Sequence, residues 1–270
     1  MTNVAGPDRF AFGENWWRFL ALLDETRIIE AERSLTEMLG TENLNGLSFC
    51  DVGSGSGLFS LAARRLGATV RSFDFDPASV ACTAELRRRF FPSDPNWSVE
   101  SGSALDPKYL ERLGRFDVVY AWGVLHHTGA MWEAMKLASA LVKPAGLLYI
   151  ALYNDQGWRS NIWRFVKRSY NALPKALRFL IVLPILVLLW GRLAVRDFAR
   201  GRPFSTWREY SSTRGMSPWH DLIDWVGGYP FEVARPDDVI HFYERLGFGL
   251  REIRRRNGLG CNEFVFAREH

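Results

Sequence analysis

The amino-acid sequence predicts an α/β fold: a doubly wound, mostly parallel seven-stranded sheet with a C-terminal antiparallel hairpin and a helical insert. Three observations predict it. From residue 47 onward, short apolar runs alternate with helical segments of ten to fifteen residues, the pattern of βαβ crossovers. A glycine-rich stretch, Asp51-Val-Gly-Ser-Gly-Ser-Gly57, follows the first apolar run directly and opens a helix. Near the C-terminus, two strand-like runs flank Asn257-Gly-Leu-Gly260, a hairpin signal.

The elements follow in order. Trp16, Phe19, Leu20, Leu23, Ile28, Ala31, Leu35 and Met38 recur at helical steps, so residues 14–39 read as one helix closed by Gly40. Leu47–Val52 reads as a strand and Leu58–Leu66 as a helix; Thr69–Phe73 is a second strand and Ala78–Phe91 its helix. Trp97–Glu100 and Phe116–Ala121 are the next strands, Met131–Val142 a helix, and Gly146–Tyr153 a fifth strand. Residues 154–212 break the rhythm with a Trp-rich basic helix, an apolar run and a Gly/Pro/Arg-rich stretch. Asp237–Leu246 then reads as a helix, and Phe248–Arg256 and Cys261–Ala267 as the closing strands.

At 270 residues the chain has room for one large domain with an insert. The expected division is an N-terminal helical cap (1–44), a core (45–154 and 213–270) and a basic, Trp-rich helical insert (155–212). Apolar residues at 47% and charged residues at 24% suit a globular core and exclude disordered, collagen-like and coiled-coil classes. Cys50, Cys82 and Cys261 have no metal-type spacing, which excludes a disulfide scaffold and a cysteine zinc site. With no apolar stretch in the first nine residues, the expected location is cytoplasmic. Charge is uneven: residues 159–209 carry +9 of a total of +4, so the rest carries −5.

Glycines after a first strand let backbone approach a ligand closely, and the helix N-terminus behind them offers unpaired N–H groups. The spacing is G-x-G-x-G, with Leu at 58, rather than the G-x-G-x-x-G of dinucleotide sites. An acid ahead of it suits a cationic amino-acid ligand better than a pyrophosphate; the alternative is a tight turn with no ligand. Asp74 ends the second strand 17 residues beyond Gly57, where a carboxylate can accept both ribose hydroxyls. Phe75 can pack on an adenine face, and Gly102-Ser-Ala-Leu-Asp106 follows the third strand where the adenine edge would be read.

In these stretches, in Phe116–His127, in Leu141-Val-Lys-Pro-Ala-Gly146 and in the closing hairpin, the chain resembles the class I S-adenosylmethionine-dependent methyltransferases. The resemblance covers roughly residues 45–154 and 232–269. It implies S-adenosyl-L-methionine as cofactor, with Asp51 near its amino-acid end, Gly53, Ser54, Gly55 and Gly57 along its methionine, and Asp74 on ribose. Phe75, Ser103, Ala104 and Trp122 complete the expected cofactor set; many relatives carry Asp where this chain has Ser103, which shifts the adenine contact toward the Ala104 backbone.

Methyl transfer from a sulfonium needs positioning and exclusion of water, and a base when the acceptor is a protonated oxygen. His126 and His127 stand beyond the fourth strand, at the sheet edge that binds ligands in open α/β folds. One of them is the candidate base; the alternative is that one caps the turn and the other packs on it. This stretch is most similar to the ubiquinone-biosynthesis O-methyltransferases, which also place a Trp pair near the N-terminus and a membrane-associating insert after the fifth strand. Those enzymes carry Glu-x-x-Glu-His for a divalent metal where this chain has Gly123, His126 and His127. With both carboxylates gone, no metal is expected. Trp16, and the run containing His220, Asp221, Asp224, Trp225 and Tyr229, are expected at the acceptor pocket; the alternative for the latter is a structural plug.

Phe179–Gly191 is a run of 13 uncharged residues containing Pro184, too short to span a bilayer by that count. The stripe Trp158, Ile162, Phe165, Val166 and Tyr170 before it faces away from Arg159, Arg164, Lys167 and Arg168, the pattern of a membrane-interface helix. A lid over the active site is the alternative. Nucleic acid is not an expected partner, since tracking phosphates needs no such apolar run. The expected function is methylation, at oxygen, of a hydrophobic or aromatic small molecule at or near a membrane, with peripheral contact to the anionic inner face. The alternatives are an RNA-modifying methyltransferase and a cofactor-binding fold serving as a non-catalytic partner.

Overall fold

A computed structural model describes residues 13–214 and 218–269. The N-terminal segment forms two helices, α1 (Gly13–Ala21) and α2 (Glu25–Leu39), rather than one. Asp24 breaks the run: its backbone is extended and its carboxylate accepts from the Arg27 amide, capping α2. Gly40 closes α2 in the left-handed conformation, as its position predicts.

The core runs β1 (Ser48–Val52), α3 (Leu58–Arg65), β2 (Thr69–Asp74), α4 (Pro77–Phe90), β3 (Trp97–Ser101), α5 (Pro107–Leu113) and β4 (Phe116–Trp122). A short 3-10 turn (Leu125–His127), α6 (Met131–Ala140) and β5 (Val142–Tyr153) follow. α5 has no counterpart in the predicted elements. Asp106 caps it, accepting from the Lys108 and Tyr109 amides, with Pro107 at its first position. β5 also starts earlier than predicted, because a register shift opposite Phe116–Val118, with Ala145 at positive φ, absorbs residues 143–146 into the strand.

The insert is helical throughout: α7 (Trp158–Ala172), α8 (Phe179–Ala199) and α9 (Ser205–Arg214). α10 (Pro218–Gly227) and α11 (Pro236–Glu244) lead into β6 (Phe248–Arg254) and β7 (Cys261–Arg268). Strand order is β3-β2-β1-β4-β5-β7-β6. Strands β1 to β5 pair in parallel, and β7 runs antiparallel between β5 and β6.

Two apolar cores sandwich the sheet. One buries Val119, Ile150, Met135 and Phe266 against α6 and α11, the other Phe49, Val70, Leu61 and Leu35 against α2, α3 and α4. The insert has a core of its own, where Tyr170, Val182 and Ile185 meet Leu222 and Val226 of α10. Chain order reverses between β1 and β4, which opens a crevice at their C-terminal ends, the ligand position of open α/β sheets.

Candidate active site

The glycine loop occupies that crevice. Gly53, Gly55 and Gly57 all have positive φ (74°, 54° and 81°), and two of them could not bear a side chain for lack of space. A Cβ at Gly53 would lie 2.2 Å from Val124 Cγ2, and one at Gly57 2.9 Å from Thr83 Cγ2. The Gly53 contact packs the loop on the turn that carries the two histidines. Ser54 Oγ is tied to Thr83 Oγ1 at 2.9 Å, anchoring the loop to α4. Trp16 lies against the loop, since a Cβ at Gly55 would sit 3.2 Å from its indole Cε2.

Asp51 is buried beneath the loop, with Oδ2 accepting from Ser60 Oγ at 2.5 Å. Burial pushes its carboxyl up to about 7, the Ser60 hydrogen bond opposing this and the charge of Asp74 adding to it. Asp74 ends β2 with Oδ2 accepting from the Gly55 amide and Oδ1 from the Asp76 amide, each at 2.9 Å. Its carboxyl too is raised, chiefly by burial, against those backbone hydrogen bonds. Phe75 next to it is half exposed. Ser103 Oγ accepts from the Leu105 amide at 3.2 Å, so this hydroxyl already closes its own turn, with Ala104 partly buried beside it. Trp122 stands exposed at the end of β4.

These residues fit S-adenosylmethionine. The loop is held open where side chains would clash, the α3 N-terminus follows it directly, and Asp74 ends the second strand beside it as a hydrogen-bond acceptor. Asp51, Gly53, Gly55 and Gly57 would hold the amino-acid part, Asp74 the ribose and Phe75 the adenine face. When bound, the cofactor supplies a methyl group on a sulfonium, already activated for transfer.

The two histidines are not equivalent. His126 is fully buried, its ring 4.0 Å from Tyr153 and 4.4 Å from His127. Burial, and then the charges of His127 and Lys167, hold it well below the ordinary imidazole range, which the Ala151 backbone only partly offsets. His127 is partly exposed, and its Nδ1 lies 2.6 Å from the Pro230 carbonyl. A carbonyl only accepts, so Nδ1 carries a proton, and in the neutral ring the lone pair is then on Nε2. Sequence separation of 103 residues hid this pairing.

An aromatic wall adjoins the pair. Tyr153 packs edge-on to Trp225 at 5.6 Å and tilted on Phe231 at 5.2 Å, and Trp163 of α7 packs edge-on to Trp225 at 5.2 Å. The Trp225 indole N–H is buried without an acceptor among the described residues. Glu232 links the wall to the turn: its amide donates to the His126 carbonyl, and its carboxylate accepts from the Met131 amide at the start of α6. Asp221 instead turns toward α9, accepting from the Tyr210 hydroxyl. Asp224 lies one turn further along α10, near the Lys167 ammonium, and Tyr229 is partly buried ahead of Pro230. His220 lies on α10, but its side chain falls outside the described residues.

Two expectations about the insert need correction. Lys167 does not belong to an exposed basic face: it is fully buried, its Nζ donating to the Trp225 carbonyl and lying 4.2 Å from the Trp225 ring centroid and 4.8 Å from that of Phe231. Burial pulls its ammonium down to about 7, with Asp224 opposing. Nor is the apolar segment limited to 13 residues. α8 continues past Arg192 to Ala199, and with the 3-10 turn before it makes a 25-residue span, Lys175–Ala199, with mean hydropathy 2.1, the one such span among the described residues long and apolar enough to cross a membrane. Pro184 lies inside it without ending it, and Val182 and Ile185 on either side belong to the insert's own core.

An open groove of about 810 Å³ lies elsewhere, between Trp132 of α6 and His241, Phe242 and Arg245 of α11. It contains none of the loop or histidine residues and is formed by outer helix faces rather than strand ends.

Fold and loop together define a class I S-adenosylmethionine-dependent methyltransferase. A model of the methyltransferase-domain family matches residues 23–190. The chain belongs to that family. It is similar to the ubiquinone biosynthesis O-methyltransferases of Methylobacterium nodulans, 35% identical over 164 residues (56% of this chain, 63% of that protein), and of Methylobacterium sp. strain 4-46, 34% over 122 residues (43% and 45%). The matched stretch thus spans less than two thirds of either relative. Among solved structures, the magnesium protoporphyrin IX methyltransferase of Synechocystis PCC 6803 with bound SAH superposes with a TM-score of 0.54 at 13% identity, covering 90% of this chain and 83% of that one. At that identity the likeness is one of fold.

Proposed function

We propose that the protein methylates a hydroxyl on a hydrophobic or aromatic small molecule, with His127 as the general base and the insert resting on a membrane surface. The observation that carries this reading is the His127 Nδ1 hydrogen bond to Pro230, which in the neutral ring puts the lone pair on Nε2, with the ring 5.4 Å from Tyr153 of the aromatic wall. A phenol ring matches the partly exposed rings of Tyr153 and Trp225. The buried Trp225 N–H is a donor for an acceptor oxygen, and the half-exposed His127 removes the hydroxyl proton as the oxygen attacks. Phe231 and His126, buried behind, exclude water.

The curated relatives, named for ubiquinone biosynthesis, support an oxygen acceptor on an apolar molecule. α8 supports the surface. Leu180, Leu183, Val187, Leu188, Val195 and Phe198 are exposed on it, while Val182 and Ile185 pack on the insert's own core. A helix held along its flank by a folded domain lies beside the bilayer's edge rather than through it, and Arg178, Arg192 and Arg196 suit its headgroups.

The test is a transfer screen with methyl-labelled cofactor against a lipid extract, a pool of soluble aromatic metabolites and total RNA. Label is expected in alkali-stable ether form in the organic-soluble fraction. Label confined to RNA would overturn the reading, as would absence of label from every pool in a protein that binds SAH.

A further inference from the structure

One face of α7 grips the segment that orients the histidine. Arg164, Lys167 and Asn171 are spaced i, i+3, i+7, so their side chains share a face of the helix. Each of them donates to a main-chain carbonyl in residues 225–231. Lys167 Nζ donates to Trp225 O, Asn171 Nδ2 to Gly227 O at 2.7 Å, and Arg164 Nε to Phe231 O at 3.4 Å. The first two of these carbonyls end α10, where helix geometry leaves acceptors unpaired and the dipole is negative.

The gripped segment is also the one that sets the histidine turn. Pro230 accepts from His127 Nδ1, and Glu232 reaches back to the His126 carbonyl and the Met131 amide. Trp225 and Phe231, between the grips, form the aromatic wall on Tyr153. From the insert to His127, the path therefore runs through three side-chain donors and one short stretch of backbone.

We propose that Arg164, Lys167 and Asn171 are positioning residues: a clamp by which the insert holds the Pro230 carbonyl on His127 Nδ1 and so fixes which ring nitrogen faces the acceptor. The proposal rests on His127 as the base. None of the three donors need touch the acceptor, since they act through the backbone of residues 225–231. Burial is what makes Lys167 more than a cap. A fully buried amino group, charged or neutral, must place its N–H on an acceptor, and here that acceptor is the Trp225 carbonyl between the rings of Trp225 and Phe231, so its geometry is specified closely. Asn171 adds a second tie, donating to the Lys167 carbonyl at 2.8 Å as well as to Gly227.

The experiment reads the imidazole directly. Long-range 1H–15N spectra of the SAH-bound full chain are recorded at pH 8, with His127 assigned by its absence in His127→Gln. Wild-type protein is expected to show His127 as one neutral tautomer, protonated at Nδ1. In Lys167→Met, which keeps the buried volume, and in Asn171→Ala, that signal is expected to become a mixture of the two tautomers, with SAH affinity unchanged within about twofold. A purely packing role would lower the melting temperature and leave the tautomer alone. If Lys167→Met does not fold, Asn171→Ala carries the test, because its side chain is only partly buried. Folded variants that keep the wild-type His127 signal would overturn the clamp. Wild-type His127 protonated at Nε2 would overturn the base assignment instead.

Discussion

The backbone N–H of Gly55 donates to Asp74 Oδ2 across 2.9 Å, tying the glycine loop to the acid that ends the second strand. The same carboxylate receives the Asp76 amide on its other oxygen, so a single side chain sets both the loop and the start of α4. The Phe75 amide donates to this carboxylate as well, so a ribose hydroxyl would share it with three backbone donors.

Asp74→Ala is therefore expected to weaken SAH binding by about 1–3 kcal/mol, because the amides of Gly55, Phe75 and Asp76 and the ribose lose their acceptor together. Asp74→Asn, which keeps one acceptor oxygen, should fall between. Calorimetric titration of SAH measures both, and an unchanged affinity in the alanine variant would remove the ribose assignment.

Asp51 makes cofactor binding depend on pH. Its carboxyl, raised by burial from the ordinary carboxylate range to about 7, is largely protonated below neutrality in the free protein. A cofactor ammonium beside it favours the carboxylate and so expels that proton. SAH affinity is expected to rise with pH up to about 7, at most tenfold per unit, and then to level off. In the absence of ligand the sign is the reverse: a raised acid costs stability as pH climbs from about 4 to 7. Ser60→Ala removes a hydrogen bond that lowers this pKa and should move the break upward. Calorimetry at pH 6.5 in two buffers of different ionisation enthalpy counts the proton. Equal heats in both would show that Asp51 does not face the amino group.

Burial separates the two histidines into different experiments. His127→Ala is expected to reduce turnover by ~10²–10⁴-fold at saturating cofactor while SAH affinity holds. His126→Ala empties a fully buried site against Tyr153 and should cost about 2–4 kcal/mol of stability, read as a fall in melting temperature. Were His127→Ala to turn over at the wild-type rate, positioning alone would drive transfer.

What the sequence made legible was local. The glycine spacing, Asp74 at the end of its strand and the hairpin turn each rest on residues close in the chain, and the sheet formed around them. The break at Asp24 and the helix begun by Asp106-Pro107 were equally local, carried by capping residues hidden among apolar periodicity and a ligand motif. The long-range pairs had no such signal. His127 meets Pro230 103 residues away, and Lys167 meets Trp225 58 residues away. Lys167 sits among Arg159, Arg164 and Arg168, all exposed, so composition alone does not mark it as buried. The length of α8 was misjudged because counting uncharged residues stops at Arg192, whereas a long cationic side chain can stay in a helix by reaching out toward water.

The insert's attachment to membranes separates into two terms that salt distinguishes. Val187 and Leu188 are 69% and 71% exposed, so their burial in a bilayer releases apolar surface that the fold leaves in water. Around them, Lys175, Arg178, Arg192, Arg196, Arg200 and Arg202 supply charge, each worth about 1 kcal/mol near an anionic surface. Co-sedimentation with anionic vesicles at low salt is expected to bring down most of the protein. High salt should screen the charge and leave a weaker apolar remainder, which neutral vesicles should show at either salt. In Val187→Asp/Leu188→Asp that remainder should vanish, with the melting temperature kept, because neither side chain is buried in the fold. A protein that stays in the supernatant with both vesicle types at low salt would make α7 and α8 a lid only, and would turn the search for the acceptor from lipids to soluble aromatic metabolites.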